Sequence, residues 1–238
     1  NAVGYCIAGT TLAMTLAHMK KAGDKSVKSA TFFTTLTDFS DQGEFGVFLK
    51  DDFVDGIERQ GAQDGILDKL FMGRTFSFLR SNDLIWQPAI RSYMLGEPPP
   101  AFDLLYWNGD GTNLPGRMAV EYLRGLCQAD QFAQKGFPLL GRRVSIRDVK
   151  VPLFAVACES DHIAAWKSSY TGVVQFGAAD KTFVLSESGH IAGIVNPPSK
   201  QKYGHWTHPD LDLDPEAWKA AAVRTPGSWW PRWGEWLG

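Results

Sequence analysis

The residues best placed to do chemistry stand almost at the start of the chain, in Gly4-Tyr5-Cys6-Ile7-Ala8-Gly9-Thr10. The pattern is glycine, any residue, nucleophile, any residue, small residue, between an apolar run and a helix-compatible run. It reads as a nucleophile elbow, a tight strand-to-helix turn that holds Cys6 exposed above a sheet. Small neighbours are needed because the backbone nearly doubles back there. Ala8 stands where a second glycine is usual. The N-terminus of the following helix favours a thiolate, and the backbone N–H of Ile7 points to where an oxyanion would form. The alternative is a buried structural cysteine in a glycine-rich turn.

An elbow needs a base and an orienting acid, in the chain order nucleophile, acid, histidine. The apolar run 151–158 reads as a buried parallel strand and ends in Glu159-Ser160-Asp161-His162. The run 181–185 reads as another strand and ends in Ser186-Glu187-Ser188-Gly189-His190. Cys6, Asp161 and His190 thus each follow the C-terminal end of an expected strand, the edge where open α/β sheets bind ligands. These placements predict an α/β-hydrolase fold. Glu159 is the alternative acid, although it sits closer to its strand. His162 neighbours Asp161 and is a candidate to line the site. His18 falls on the helix after the elbow as a solvated or capped side chain. His205 and His208 are spaced i, i+3 without a set of cysteine or acidic ligands beside them, so no metal site is expected. Cys127 and Cys158 read as small buried apolar residues.

The positions between these landmarks must carry the elements that place them. Residues 1–37 read as strand, helix (8–22, with Leu12, Leu16 and Met19 on one face) and strand (27–37, β-branched and aromatic). Residues 145–238 return to the alternating pattern and close on a tryptophan-rich tail, where Trp229, Trp233 and Trp236 share a helical face. That face either docks on the domain or meets an apolar partner. Between them, residues 38–144 are aromatic, loop-rich and broken by Pro98-Pro99-Pro100. They read as a cap or lid inserted between the strand after the elbow and the strand bearing the acid, where it would exclude water from the site. The aromatic residues of the insert, among them Phe76, Phe78, Trp86 and Tyr93, are expected mostly to form its own core. The chain opens directly on the elbow strand at Asn1, which reads as a fragment or processed piece lacking an N-terminal part of the sheet and an N-terminal domain.

Composition narrows the function classes. The 238 residues are 44% hydrophobic and 21% charged, an ordinary globular balance. A formal charge of −2 gives no reason to expect a nucleic-acid partner. Three cysteines argue against a disulfide framework and for a reducing compartment. No apolar run is long enough to span a membrane, and no signal peptide is recognisable.

Taken together, these stretches resemble the polyhydroxyalkanoate synthases, most closely the class I enzymes. The family's Gly-x-Cys-x-Gly-Gly-Thr elbow is matched by residues 4–10, with Ala8 as the departure. Further matches are Thr34-Thr35-Leu36-Thr37-Asp38-Phe39, the runs 76–86 and 102–116, Asp161-His162-Ile163, Ser188-Gly189-His190-Ile191-Ala192-Gly193, His205-Trp206-Thr207 and Gly227-Ser228-Trp229-Trp230-Pro231. The resemblance covers essentially the whole chain and corresponds to the family's C-terminal catalytic region. It implies a triad of Cys6, Asp161 and His190. It implies a monomer that is an (R)-3-hydroxyacyl-CoA, 3-hydroxybutyryl-CoA in particular, and products that are a polyester and free CoA. No cofactor is implied, since CoA is part of the substrate. Trp107 and Asp110 of the Tyr-Trp-Asn-Gly-Asp stretch, with His162 and Ile191, are the candidate substrate contacts. A homodimer in the cytoplasm, associated with the growing polyester granule, is also implied. The rival readings are a cysteine hydrolase of the dienelactone-hydrolase or acyl-CoA thioesterase kind, an inactive granule-coating relative, and a polymer-degrading esterase. The long interval from Cys6 to Asp161 disfavours a compact lactone hydrolase.

Overall fold

The computed structural model describes residues 1–99, 106 and 110–238. They group into two compact units, Asn1–Gly43 with Gly125–Gly238, and Glu44–Arg124.

The first unit is built on a six-stranded sheet. Its strands, in both chain and spatial order, are β1 (Ala2–Tyr5), β2 (Ala30–Phe33), β3 (Leu153–Cys158), β4 (Lys181–Ser186), β5 (His205–Thr207) and β6 (Val223–Thr225). The first four are parallel, and β5 and β6 add on antiparallel. The register aligns Tyr5 with Phe33, Phe33 with Val156, and Val156 with Val184. The loops after β1, β3 and β4 therefore leave from one edge of the sheet. Every residue of β2 and β3 is buried, as expected of parallel strands covered on both faces.

Helix α1 (Ile7–Ala22) turns Ala13, Met14, Leu16 and Ala17 inward. It ends at Gly23, whose φ of 77° is the left-handed C-terminal stop, with the Gly23 and Asp24 N–H groups closing on the carbonyls of Lys20 and Met19. Helix α2 (Trp166–Gln175) lies on one face of the sheet, where Tyr170 meets Phe183 edge-on and Phe176 stacks on Phe32. Helix α3 (Pro215–Ala221) starts in the expected manner: Asp214 accepts the N–H groups of Glu216 and Ala217, and a proline follows at the first helical position. Helix α4 (Trp230–Leu237) covers the opposite face. Trp229, just before it, is buried in a cluster with Phe33, Phe154, Val156, Cys158, Val184 and Ile194, and Trp233 and Trp236 pack against that cluster. The tryptophan-rich tail thus docks on its own domain.

Residues 125–144, grouped with the insert on sequence texture, cluster with the sheet. Phe132 and Val144 are fully buried, and the Ile146 N–H bonds to the Phe132 carbonyl. The hairpin Phe137–Leu139 with Arg142–Val144 turns on Leu140 and Gly141, both at positive φ. The strand expected over 27–37 is confined to Ala30–Phe33: pairing with both neighbouring strands begins at Ala30, and Thr34 at φ 44° ends it.

The second unit is helical. Helices Asp51–Asp64 and Lys69–Leu79 surround a small core of Ile57, Leu67 and Ala119, with Phe53, Phe71 and Met72 against it. Gly61 and Gly116 touch backbone to backbone; a Cβ on Gly116 would lie 2.8 Å from the Gly61 Cα. Phe76 stacks on Phe45, but Phe78, Trp86 and Tyr93 are exposed, contrary to the expectation that they fill this core. The core is small, and these three fall on stretches none of whose residues is buried except Thr75. Among the described residues, no helix is long and apolar enough to cross a membrane.

Candidate active site

Cys6 occupies the turn between β1 and α1 with φ 53° and ψ −124°. That conformation costs a side-chain-bearing residue ~1–3 kcal/mol and persists only where its surroundings enforce it. Here they do. The Cys6 N–H extends the ladder to the Phe33 carbonyl at 2.9 Å, and the Cys6 carbonyl accepts the N–H groups of Gly9 and Thr10 at 2.9 and 3.3 Å. The Ile7 N–H, first in the helix, has no intrahelical acceptor available to it. The thiol is free and half-buried.

The two glycines that permit this turn are Gly4 and Gly9. A Cβ on Gly4 would stand 2.5 Å from the Gly9 Cα, and one on Gly9 would stand 1.9 Å from Thr35 Oγ1. Ala8 is exposed, so its methyl group meets no such obstacle. The departure from the family's elbow at Ala8 is therefore harmless to the turn.

Asp161 follows β3. Its carboxylate is fully buried and receives three donors: Oδ1 accepts the N–H groups of Ile163 (2.8 Å) and Ala164 (2.9 Å), and Oδ2 accepts from His190 Nδ1 at 2.7 Å. Buried carboxylates need such partners. Because a carboxylate only accepts, the proton of the neutral imidazole is on Nδ1, which leaves Nε2 free to accept. Cys6 is among the groups that favour the protonated form of His190. Burial opposes protonation of His190, but the hydrogen bonds to Asp161 and Cys6 outweigh it and raise the imidazole to about 9. Asp161 and His190, far apart in sequence, are thus joined by a hydrogen bond at the sheet edge that also carries Cys6.

The competing candidates lie elsewhere. Glu159 pairs with Lys219 at 2.6 Å, and Glu187 pairs with Arg224 at 2.7 Å. His205 is buried and its Nδ1 bonds to the Gly227 carbonyl; burial pulls its pKa down. His208 Nδ1 accepts the Asp210 N–H. Cys127 and Cys158 are buried, which pushes the Cys127 thiol up to about 12 and the Cys158 thiol further. Of the candidate substrate contacts, His162 and Ile191 are half-buried beside Asp161 and His190. Asp110 is exposed and belongs to the second unit. Trp107 lies outside the described residues.

Some residues of the site escaped the sequence reading. Tyr5 donates its hydroxyl to the His190 carbonyl at 2.7 Å and meets the imidazole edge-on. The Gly193 carbonyl accepts from both Ser186 Oγ (2.9 Å) and Trp229 Nε1 (2.8 Å). Gly193 itself admits no Cβ, which would stand 2.5 Å from Cys158 Sγ. The available signal was the glycine spacing of 189–193 and the run of tryptophans, but nothing in the sequence pairs one with the other.

No family model matches the chain. Among curated proteins it is 44% identical over 237 residues to the poly(3-hydroxyalkanoate) polymerase subunit PhaC of Rhizobium meliloti, an alignment covering 100% of this chain and 39% of that protein. It is 44% identical over 238 residues to the poly(3-hydroxyalkanoate) polymerase of Methylorubrum extorquens, covering 99% and 39%. It is 39% identical over 243 residues to the subunit PhaC of Cupriavidus necator, covering 100% and 41%. A solved monoacylglycerol lipase from Paleococcus ferrophilus superposes with a TM-score of 0.41 at 16% identity, covering 79% of this chain and 58% of the lipase. The chain spans 39% of the length of the Rhizobium meliloti relative and matches the C-terminal part of these proteins. With that identity sustained over its full length, the chain belongs to the poly(3-hydroxyalkanoate) polymerase family.

Proposed function

We propose that this chain carries the polymerising centre of an acyltransferase that builds polyester from (R)-3-hydroxyacyl-CoA, 3-hydroxybutyryl-CoA in particular. The observation that carries the reading is the Asp161–His190 hydrogen bond at the same sheet edge as Cys6 on its strand-to-helix turn, in a chain related to polyester polymerases.

The chemistry runs in two transfers. His190 takes the Cys6 proton, and the sulfur attacks the thioester carbonyl of the acyl-CoA. The oxyanion is met by the Ile7 N–H at the helix N-terminus. The carbon–sulfur bond to CoA breaks, CoA leaves with the proton returned by His190, and the acyl group stays on Cys6. One thioester replaces another, so the exchange is nearly isoenergetic. A 3-hydroxyl then gives its proton to His190, attacks the acyl–Cys6 carbonyl and forms the ester, and Cys6 recovers its proton. Asp161 holds the imidazole in the Nδ1–H tautomer through both transfers. No cofactor enters these steps. Pairing of two copies and attachment to a polyester granule belong to the same proposal and rest on the family alone.

The test is incubation of the full-length protein with (R)-3-hydroxybutyryl-CoA while free CoA and turbidity are followed together. CoA release with growing turbidity, both lost in Cys6→Ala, is the expected result. CoA release that yields only soluble 3-hydroxybutyrate would make the protein a thioesterase.

A further inference from the structure

We infer that Tyr5 is a positioning residue that sets the approach of His190 to Cys6 by gripping the histidine from its backbone and its ring at once. The inference rests on the Cys6–His190 reading above. The segment that carries His190 has no helix or strand of its own; it follows β4 as a series of turns, with Ser188 at φ 74°. Such a segment keeps a fixed geometry only through outside anchors. Asp161 holds the ring at Nδ1. Ser186 and Trp229 hold the later part at the Gly193 carbonyl. Neither anchor connects the histidine to the nucleophile.

Tyr5 does. It is the last residue of β1, in register with Phe33, and is bonded through the main chain to Cys6. Its hydroxyl donates to the His190 carbonyl at 2.7 Å. Its ring meets the imidazole at a centroid distance of 5.2 Å and an interplanar angle of 73°, a favourable edge-to-face contact. It also packs on the buried cluster of Phe33, Val156, Cys158 and Val184. Any shift of the His190 segment relative to the elbow must break the hydroxyl contact or slide the two rings. Burial drives the phenol well above the usual tyrosine range, so it remains a donor wherever the enzyme works. A phenylalanine would fill the same volume, so packing alone does not call for the hydroxyl.

The experiment is the alkylation of Cys6 by iodoacetamide across pH 5–10 in the full-length protein, for the wild type, His190→Ala, Tyr5→Phe, and a protein with p-aminophenylalanine at position 5, which restores a donor at the ring's end. His190→Ala must slow alkylation; if it does not, the underlying Cys6–His190 reading fails. With that slowing in place, Tyr5→Phe is expected to lower the neutral-pH rate about three- to tenfold, the worth of one hydrogen bond, and to shift the midpoint of the profile. The p-aminophenylalanine protein is expected to recover the wild-type rate. A Tyr5→Phe profile that superposes on the wild type overturns the inference and leaves the reading beneath it standing. Equal slowing in both position-5 proteins overturns it too, since packing rather than the donor would then matter. If Tyr5→Phe melts below the assay temperature, the p-aminophenylalanine protein decides alone: the wild-type rate supports the inference and a slowed one overturns it.

Discussion

Gly4 and Gly9 meet backbone to backbone beneath the nucleophile, so closely that a Cβ on Gly4 would lie 2.5 Å from the Gly9 Cα. This contact, rather than the residue at position 8, is what closes the turn at Cys6. The obstacle at Gly4 is backbone and cannot rotate away. Gly4→Ala is expected to destabilise the protein by ~1–3 kcal/mol and to cost activity, whereas Ala8→Gly, at an exposed position, costs at most ~1 kcal/mol. Chemical denaturation of the two variants side by side checks the ranking. A Gly4→Ala protein as stable as Ala8→Gly would mean that the elbow tolerates a wider turn.

Asp161→Asn separates the orienting role from the structural one. Asparagine keeps an oxygen for the N–H groups of Ile163 and Ala164. Its amide group, placed toward His190 Nδ1, forces the proton to the other nitrogen, the one that must accept from Cys6. The same exchange in a serine triad lowers turnover by about 10⁴. A loss of two or more orders of magnitude with little change in melting temperature is expected here, while Cys6 still takes a label. Turnover within threefold of wild type would remove Asp161 from the mechanism.

His190 ties stability to pH. Its folded value of about 9 stands above the 6.5 of an ordinary imidazole, so the folded state holds the proton more tightly. The resulting stabilisation is complete below about pH 6.5, fades between 6.5 and 9, and is absent above. At ~1.4 kcal/mol per unit it amounts to about 3 kcal/mol at most. Urea denaturation at pH 6 and pH 9.5, compared between wild type and His190→Asn, isolates this part. The wild type should lose more stability over that interval than the variant, and parallel losses would show that His190 is not held protonated.

The thiols should separate cleanly. Cys6 is half-buried at the sheet edge, whereas Cys127 and Cys158 are 2% and 0% exposed and burial keeps both protonated at neutral pH. Brief treatment of the native protein with iodoacetamide at pH 8 should therefore add one label, located on Cys6 by mass spectrometry. Labelling of Cys158 at a comparable rate would contradict the packing around Gly193.

What the sequence disclosed and what it hid divide along one physical line. The elbow, the strand runs ending at Cys158 and Ser186, and the helix after Cys6 were legible because glycine spacing and apolar periodicity are local properties. The pairing of His190 with Asp161 was legible because chain order and strand ends confine where a base and an acid can stand. The grip of Tyr5 on His190, across 185 positions, was not, since a tyrosine beside a nucleophile reads as one more apolar residue. The exposure of Trp86 and Tyr93 was hidden for the same reason: their aromatic character says they can be buried, not whether a small core has room. The antiparallel strands β5 and β6 carried too few residues to register as periodic.

Trp229 ties the tail to the segment that carries His190. It is 1% exposed, packs on Phe33 and Phe154, and donates Nε1 to the Gly193 carbonyl at 2.8 Å, three residues past His190. Trp230 adds a second bond, from Nε1 to the Ile194 carbonyl at 2.9 Å. Both indoles therefore pin the segment that must hold the histidine still. Trp229→Phe keeps most of the buried ring and removes the donor, leaving Gly193 with Ser186 Oγ alone. It should cost ~1–3 kcal/mol from the lost bond and the smaller ring, together with a fall in turnover greater than the fall in binding, because the histidine and not the substrate is loosened. Trp236→Phe is the comparison: Trp236 packs on Phe154 from the far end of α4 and should lower stability with no such change in turnover. Steady-state kinetics and denaturation of both proteins test this, and equal turnover in the two at temperatures where both are folded would reduce Trp229 to a packing residue.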